Sequence, residues 1–536
     1  MIINSDFGRI DLMTLTLPQF AETPTAVYTS TGSVFVDYCR EADRAIRDYH
    51  RFAVMNDDGS GFREIFAGVI PQKKKANGIR FMPYTDGKRV LLGDYVLECS
   101  PDIDHCTEAK IVPVRYPWDL ENNPRIFCHW SEIIISPDNE HICWTYLTFG
   151  GAGAAIGRLT RREDLYIIED AKLIHSRKSF EPDPDRPGFL RLLPQRGGEV
   201  KQFVHGGSAI SLVGSAKGTC IADSVVQDLG SGTVDPITRN PGYDETTLLS
   251  PDEKLGITMT TRFSPKTNFD VLGILPRPYS GIIVQSLIQT IYLIGVTEVR
   301  LYREGNVGPA LIDLARSAAE PGYMGADLHD PEEKWVYNSP MSWRPDSRSV
   351  MWRENLRGHR DTRIRVARLS DYQPSETVRT VPTPDTIPYA MDAGYLFPQP
   401  EDAVSSGRIA GKQSGEARFS IDNGQDASGA SQNGPRFSRK LVYDSFSDDG
   451  IHFLNGSETI QMNEKGETIY TADLRRTAGA SREEEGFMKL RLTFSRTSLD
   501  GSALPSLLFD PAEDGNPRSF GTAQFGGRTI RVEDLR

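Results

Sequence analysis

Short apolar runs separated by turn residues recur along the chain. The clearest copies are SEIIISPDNEHICWTYL from Ser131, TTLLSPDEKLGITMT from Thr246 and SPMSWRPDSRSVMW from Ser339. In each copy an apolar run leads into a Ser-Pro-Asp or Arg-Pro-Asp turn, and a second apolar run follows. Proline sets the backbone of the first turn position, and the aspartate accepts hydrogen bonds from the amides that follow. The pattern therefore predicts a β-hairpin at each copy.

Weaker copies extend this repeat over most of the chain. The clearest copies turn at Asp138, Asp252 and Asp346. The weaker copies turn near Gly32, Gly87, Gly197, Asp449 and Asp500, so the chain has eight predicted hairpins. Most neighbouring turns are about 50 to 60 residues apart. A further strand pair follows several hairpins, as in HRFAVMNDDGSGFREIF from His50. One unit therefore has four antiparallel strands, which is a blade of a β-propeller.

The SPD turn before an apolar strand and the segment VMNDDGSG resemble the TolB-like, WD-type repeat. This resemblance implies an all-β fold, a single β-propeller over residues 1–536. Eight blades are favoured, and seven are possible if one hairpin only closes the ring. An apolar content of 38%, with 48 Gly and 34 Pro, fits many short strands joined by turns.

Two long spacings between hairpins predict additions to the ring. Residues 268–334 contain the apolar segment GIIVQSLIQTIYLIG and a predicted helix at residues 310–319. Because this insertion leaves from the end of a second strand, we expect it to cap one opening of the ring. Residues 401–440 are rich in Ser, Gly, Gln, Asn and Asp, which predicts a flexible loop that protease cleaves early.

Net charge and hydropathy limit the kinds of binding partner and the cellular compartment that the sequence favours. A net charge of −12 disfavours nucleic-acid and anionic membrane surfaces. The longest apolar segment is shorter than the ~20 residues of a membrane span, and the N-terminus lacks the basic start of a secretory leader. We predict a cytoplasmic protein, the alternative being a mature secreted chain. The six cysteines include no CxxC pair, which disfavours a zinc ribbon.

Strand order predicts where functional residues converge. Because consecutive strands are antiparallel, the loops between second and third strands open on the same face as the entry to each blade. His50, His105, His205 and His359 are assigned to such loops, and His129 and Trp130 to a blade entry. We predict that His129, His205, Tyr337 and Arg353 surround one pocket beneath the insertion.

This constellation suits an acidic saccharide, because Arg binds carboxylates in bidentate fashion and His or Tyr can move a proton. The catalytic candidates are His129, His205 and Tyr337. The substrate-binding candidates are Trp130, Asp244, Asn338, Arg353, Arg357, His359 and Arg360. We expect a lyase acting on a uronate-containing saccharide at the channel mouth. A glycoside hydrolase is less favoured, since the adjacent Asp244 and Glu245 would point in opposite directions on a strand.

The alternative to an enzyme is a non-catalytic propeller that binds a protein partner through this face or through residues 268–334. TolB-like propellers include oligogalacturonate lyases, and that resemblance implies a divalent metal held by histidines. This chain has no HxH pair, so those ligands cannot be assigned to particular residues. A metal held by His129, His205 and His359 is the arrangement that the predicted face would allow.

Overall fold

The computed structural model describes residues 1–148, 151–214, 222–399, 402–422, 437–463, 465–495 and 505–536. Residues 1–369 form antiparallel blades that follow one another along the chain. The prediction of an all-β fold with a β-propeller of four-stranded blades is confirmed. No helix in the described part of the chain is long and apolar enough to cross a membrane.

The first three blades follow two N-terminal strands, β1 (Ile2–Asn4) and β2 (Gly8–Thr14). Blade one consists of β3 (Glu22–Tyr28), β4 (Val34–Cys39), β5 (Tyr49–Met55) and β6 (Arg63–Val69). Blade two consists of β7 (Met82–Pro83), β8 (Arg89–Leu91), β9 (Tyr95–Ser100) and β10 (Glu108–Arg115). Blade three consists of β11 (Ile126–Ile135), β12 (His141–Thr148), β13 (Gly151–Arg161) and β14 (Tyr166–Leu173).

A short hairpin precedes the last three blades, formed by β15 (Phe180–Pro182) and β16 (Leu190–Leu192). Blade four consists of β17 (Glu199–Val204), β18 (Ala209–Gly214), β19 (Asp223–Asp228) and β20 (Val234–Pro236). Blade five consists of β21 (Asp244–Leu249), β22 (Leu255–Thr260), β23 (Gly308–Asp313) and β24 (Ala326–Asp327). Blade six has β25 (Trp335–Trp343), β26 (Ser349–Leu356) and β27 (Thr362–Leu369).

The N-terminus completes blade six and closes the ring. Strand β2 pairs with β27 from Ile10 opposite Leu369, and β1 adds a fifth strand outside it. The inner strand β25 of blade six also contacts β3 of blade one. The described ring therefore has six blades, and the count of eight is not confirmed.

The two remaining hairpin copies do not belong to the ring. Residues beyond the propeller form a nine-stranded antiparallel sheet. Its strands are β28 (Ser406–Ala410), β29 (Ser414–Asp422), β30 (Phe437–Ser447), β31 (His452–Met462), β32 (Thr468–Ala478), β33 (Glu483–Ser495), β34 (Ser506–Leu507), β35 (Phe520–Phe525) and β36 (Arg528–Arg531). The turn near Asp449 is a hairpin between β30 and β31, while Asp500 lies outside the described residues.

The prediction of a flexible loop at residues 401–440 is wrong for the described part of that segment. Strands β28 and β29 and the start of β30 lie there, while residues 401 and 423–436 are outside the described ranges. The low apolar content hid a strand pattern in which Ile409, Ala417 and Phe419 are buried on one face. Few apolar residues suffice when they alternate along a strand.

The apolar residues of the insertion in blade five pack against this second sheet and share its hydrophobic core. Between β22 and β23 lie α1 (Asp270–Gly273), α2 (Gly281–Val284), α3 (Ile288–Tyr292), a π-helical turn (Leu293–Glu298) and α4 (Val299–Leu301). Ile283, Ile291 and Ile294 are buried in one cluster with Leu441 and Ile460 of the sheet. The helix predicted at residues 310–319 is instead strand β23 followed by α5 (Leu314–Ala319).

Residues 370–399 form a strap across the turns between first and second strands. Val378 N donates to Pro251 O at 2.9 Å and Val381 N to Gly206 O at 2.9 Å. The repeat aspartates hold the same segment: Asp138 accepts from Thr383 N at 2.7 Å, and Asp252 accepts from Tyr372 Oη at 2.6 Å. The SPD turns therefore close their hairpins and anchor the strap.

Replacing one anchoring aspartate should destabilise the strap and the blade beneath it. We expect Asp252→Ala to lower the free energy of unfolding by about 1–3 kcal/mol, because buried donors lose their acceptor. The matched control is Asp346→Ala, which removes the aspartate from the corresponding turn of blade six, where the side chain is partly exposed and bonds, among the described residues, to Arg344 and Arg348 of the same turn. Chemical denaturation should show the larger loss for Asp252→Ala, and equal losses would contradict the anchoring role.

Candidate functional site

Charged side chains from three neighbouring blades meet at the axis of the ring. Lys201 of β17 is 1% exposed, and its Nζ lies 3.1 Å from Glu132, 3.0 Å from Glu199 and 3.3 Å from Glu245. Arg80 lies 2.8 Å from Glu132. Burial alone would lower the pKa of Lys201, but the three carboxylates outweigh it and raise that pKa well above its usual value. We call these five residues the axial cluster.

The helical insertion reaches the ring beside this cluster. Arg300 of α4 donates from Nε to the carbonyl of Tyr337 at 2.6 Å, and its guanidinium lies 5.6 Å from the Tyr337 ring centre. Arg357 of blade six donates to the carbonyl of Val299 at 3.0 Å. The insertion therefore lies over this opening of the channel, which we call the capped mouth.

Arg353 is a cation at the capped mouth whose guanidinium has no hydrogen-bond acceptor among the described residues. It lies opposite Asn338 in the pairing of β25 and β26, next to Tyr337. Its guanidinium makes no hydrogen bond or ion pair with any residue that the structure describes, and its Nε is buried. Burial lowers the pKa of Arg353, the charge of Arg300 lowers it further, and Asp37 opposes both. The two arginines are thus close enough to repel each other.

Asp37 is the carboxyl group that faces Arg353 from blade one. It lies 3.3 Å from Nδ1 of His50, and its side chain is 19% exposed. Burial raises the pKa of Asp37, against the opposing effects of His50 and Arg353. The capped mouth therefore combines two arginines with a carboxyl group whose pKa is raised by burial.

His129 does not reach the capped mouth. It is 2% exposed, its Nε2 lies 2.8 Å from Asp94 and its Nδ1 lies 3.0 Å from the carbonyl of Lys74. Trp130 is buried beside it in the core between blades two and three. His129 and Trp130 are therefore buried structural residues between blades two and three.

The loop assignment of His205 is wrong. His205 forms the turn between β17 and β18 and pairs with Glu253 at 2.7 Å, on the face that the strap crosses. The hairpin predicted near Gly197 would have joined β16 and β17, which belong to different sheets. The first hairpin of blade four is β17–β18, so the predicted turns were one strand too early. His105 likewise lies between β9 and β10, on the strap side. His129, His205, Tyr337 and Arg353 thus do not surround one pocket.

Of the other predicted binding residues, some make structural contacts within the protein and others are exposed on its surface. Asp244 is fully buried in an ion pair with Arg262, and Arg357 ties the insertion to blade six. His359 and Arg360 are exposed in the turn between β26 and β27. Of the predicted set, Tyr337, Asn338 and Arg353 lie together at the capped mouth.

The predicted histidines do not fit a metal centre. His129 and His205 lie towards opposite ends of the ring, and His359 is exposed. Within the described ranges, no group of three or more His, Cys, Asp or Glu side chains is placed to hold a metal ion.

Arg300 and Lys201 are not among the site residues predicted from the sequence. Lys201 lies at an inward position of the strand EVKQFV, and a charged residue in such a run was the available signal. Arg300 gave none, because its place depends on how the insertion folds back on the ring.

No protein-family model matches the chain, and no curated protein matches it. Among solved structures, a TolB protein from Agrobacterium tumefaciens is 11% identical, with 57% of this chain and 80% of that chain covered and a TM-score of 0.32. TolB from Acinetobacter baumannii is 12% identical, with 70% and 66% covered and a TM-score of 0.27. Prolyl oligopeptidase B from Galerina marginata is 9% identical, with 74% and 46% covered and a TM-score of 0.30. The propeller assignment itself follows from the strand pairing described above.

Proposed function

We propose that the protein binds a small acidic ligand at the capped mouth, and that an acidic, uronate-containing saccharide is the class of ligand. The observation that carries this proposal is the guanidinium of Arg353, which lies beside Arg300 and makes no hydrogen bond or ion pair with a described residue. A carboxylate placed between them would supply the missing acceptor and relieve the repulsion, because Arg binds carboxylates through paired hydrogen bonds.

Recognition is favoured over β-elimination, because the predicted bases are poorly suited to removing a proton there. Burial raises the pKa of Tyr337, so its phenol stays protonated and acts as a donor. His129 is engaged by Asp94 and Lys74, and His205 lies on the strap side. The capped mouth is therefore suited to binding an acidic ligand and not to eliminating a proton from it.

Replacing Arg353 tests the proposal directly. We expect wild type to bind digalacturonate in isothermal titration calorimetry and Arg353→Met to bind roughly 10- to 100-fold more weakly, because a hydrogen bond to a charged group is lost. The control is Arg360→Met, which removes an exposed arginine from the same blade.

Two outcomes would overturn this proposal. One is that wild type does not bind digalacturonate, or that Arg353→Met binds it as tightly as wild type does. The other is the appearance of ultraviolet absorbance from an unsaturated uronate in the same mixtures, which would make the protein a lyase.

Binding at the capped mouth should strengthen as the solution becomes more acidic. The titratable groups around Arg353 are Asp37, His50, Tyr337 and Glu245, and burial raises the pKa of both Asp37 and Glu245. Protonation of either carboxylate removes negative charge near the ligand, so affinity for sulfate should rise between about pH 7 and about pH 5. Asp37→Asn should bind sulfate more tightly than wild type at about pH 7, with a smaller pH dependence. An unchanged pH profile in this variant would show that Asp37 does not set the charge of the mouth.

A further inference from the structure

A cavity lies at the junction of blades two and three. Its volume is about 430 Å³, and its lining comes mainly from the connection between β10 and β11. This volume is within the ~300–1,000 Å³ typical of small-molecule sites. We call it the aromatic cleft; the lining residues that matter here are Lys73, Arg115, Tyr116, Trp118, Asp119 and Glu121.

Two aromatic rings in the cleft are held by rings beneath them. Tyr116 packs edge-on against Trp144 at 5.6 Å and against His129 at 5.4 Å, and Trp118 lies 5.7 Å from Trp144. Trp144 is fully buried. Because these contacts fix the rings before a ligand arrives, little ordering entropy would be lost on binding.

The floor of the cleft is a fixed polar network. Lys73 donates to the carbonyl of Val114 at 2.9 Å and lies 3.8 Å from Asp94, which also pairs with His129. The His129–Asp94 pair therefore holds Lys73 and the floor of the cleft in place.

The rim of the cleft carries charges of both signs. Arg115, Asp119 and Glu121 are exposed or partly exposed. Asp119 accepts from Asn122 N at 3.1 Å, and Glu121 accepts from Lys74 N at 3.0 Å. Each carboxylate retains further lone pairs, so the rim offers donors and acceptors together.

We infer that the aromatic cleft binds neutral pyranose rings of a saccharide. The apolar face of a pyranose packs on an aromatic ring, and its hydroxyl groups need donors and acceptors around the edge, which is the combination present. Charges of both signs on the rim favour a neutral polyol over an anion or an organic cation. This site is independent of the acidic ligand proposed for the capped mouth.

Saturation-transfer NMR with cellobiose and maltose tests the inference. We expect a transfer signal with wild type, affinity roughly tenfold weaker or worse in Trp118→Ala, and near wild-type affinity in Trp118→Phe, which keeps an aromatic ring. The matched control is Trp335→Ala in blade six, where Trp335 packs against Arg363 at 4.4 Å. This control should bind as wild type does.

Several results would overturn the inference. They are no signal with either disaccharide, equal binding by wild type and Trp118→Ala, or preferential binding of choline. Arg353→Met should still bind cellobiose, and Trp118→Ala should still bind digalacturonate, so failure at one site is distinguishable from failure at the other.

Discussion

Glu458→Ala should lower the free energy of unfolding by about 3–5 kcal/mol, because it removes a buried carboxylate that pairs with a buried guanidinium. Arg277 of the insertion and Glu458 of β31 are both fully buried, with Nε and Oε1 3.2 Å apart. Glu458 also accepts from Tyr470 Oη at 2.8 Å. The pair joins the apolar helices to the sheet around them, so its loss should weaken the whole C-terminal unit.

The control for this prediction is an exposed ion pair of the same type. Lys334 and Glu332 are each 68% exposed, and Glu332→Ala should change stability by less than ~1 kcal/mol. Replacing both buried partners, as in Arg277→Met with Glu458→Leu, should recover much of the loss, because apolar side chains then fill the site. Urea denaturation monitored by circular dichroism measures the free energy of unfolding of Glu458→Ala, Glu332→Ala and the double variant. A loss for Glu458→Ala no larger than the control would refute the buried-pair argument.

The hairpins could be predicted from the sequence because their signals are local. The turns at Asp138, Asp252 and Asp346 lie where the SPD and RPD segments placed them. The hairpin near Asp449 is equally real, yet it belongs to the nine-stranded sheet. Turn chemistry fixes the pairing of two neighbouring strands, but the sheet that they join is decided by long-range contacts.

The candidate site was predictable only in part for the same reason. Tyr337 and Arg353 were placed correctly relative to each other, since both follow from the strong repeat at Asp346. His205 was misplaced, because the turn near Gly197 has the pattern of a blade hairpin although it connects β16 to β17, which do not pair. Residues 281–295, apolar on all sides, are consistent with a buried segment, but no local signal identifies the sheet that surrounds them.

Lys201→Met should destabilise the propeller by about 3–5 kcal/mol near neutral pH, because three buried carboxylates lose the cation that they share. Glu132, Glu199 and Glu245 come from three different blades, and each lies within hydrogen-bond distance of Nζ. Arg80 remains beside Glu132 in the variant, so Glu199 and Glu245 should account for most of the loss. Lys172→Met, which breaks a solvent-exposed pair with Asp392, is the control.

The pH dependence separates this electrostatic cause from simple loss of packing. In wild type, Lys201 holds the pKa of Glu199 below its usual value despite burial, and that contribution to stability is present above the unfolded-state pKa and is lost on acidification. Without Lys201, burial should raise the pKa of both Glu199 and Glu245 above their unfolded values. The folded variant is then favoured by protonation and loses stability as pH rises. The gap between wild type and Lys201→Met should therefore narrow from about pH 7 to about pH 4.5 in denaturation experiments. A gap that stays constant over this range would show that Lys201 stabilises the ring by packing instead of by charge.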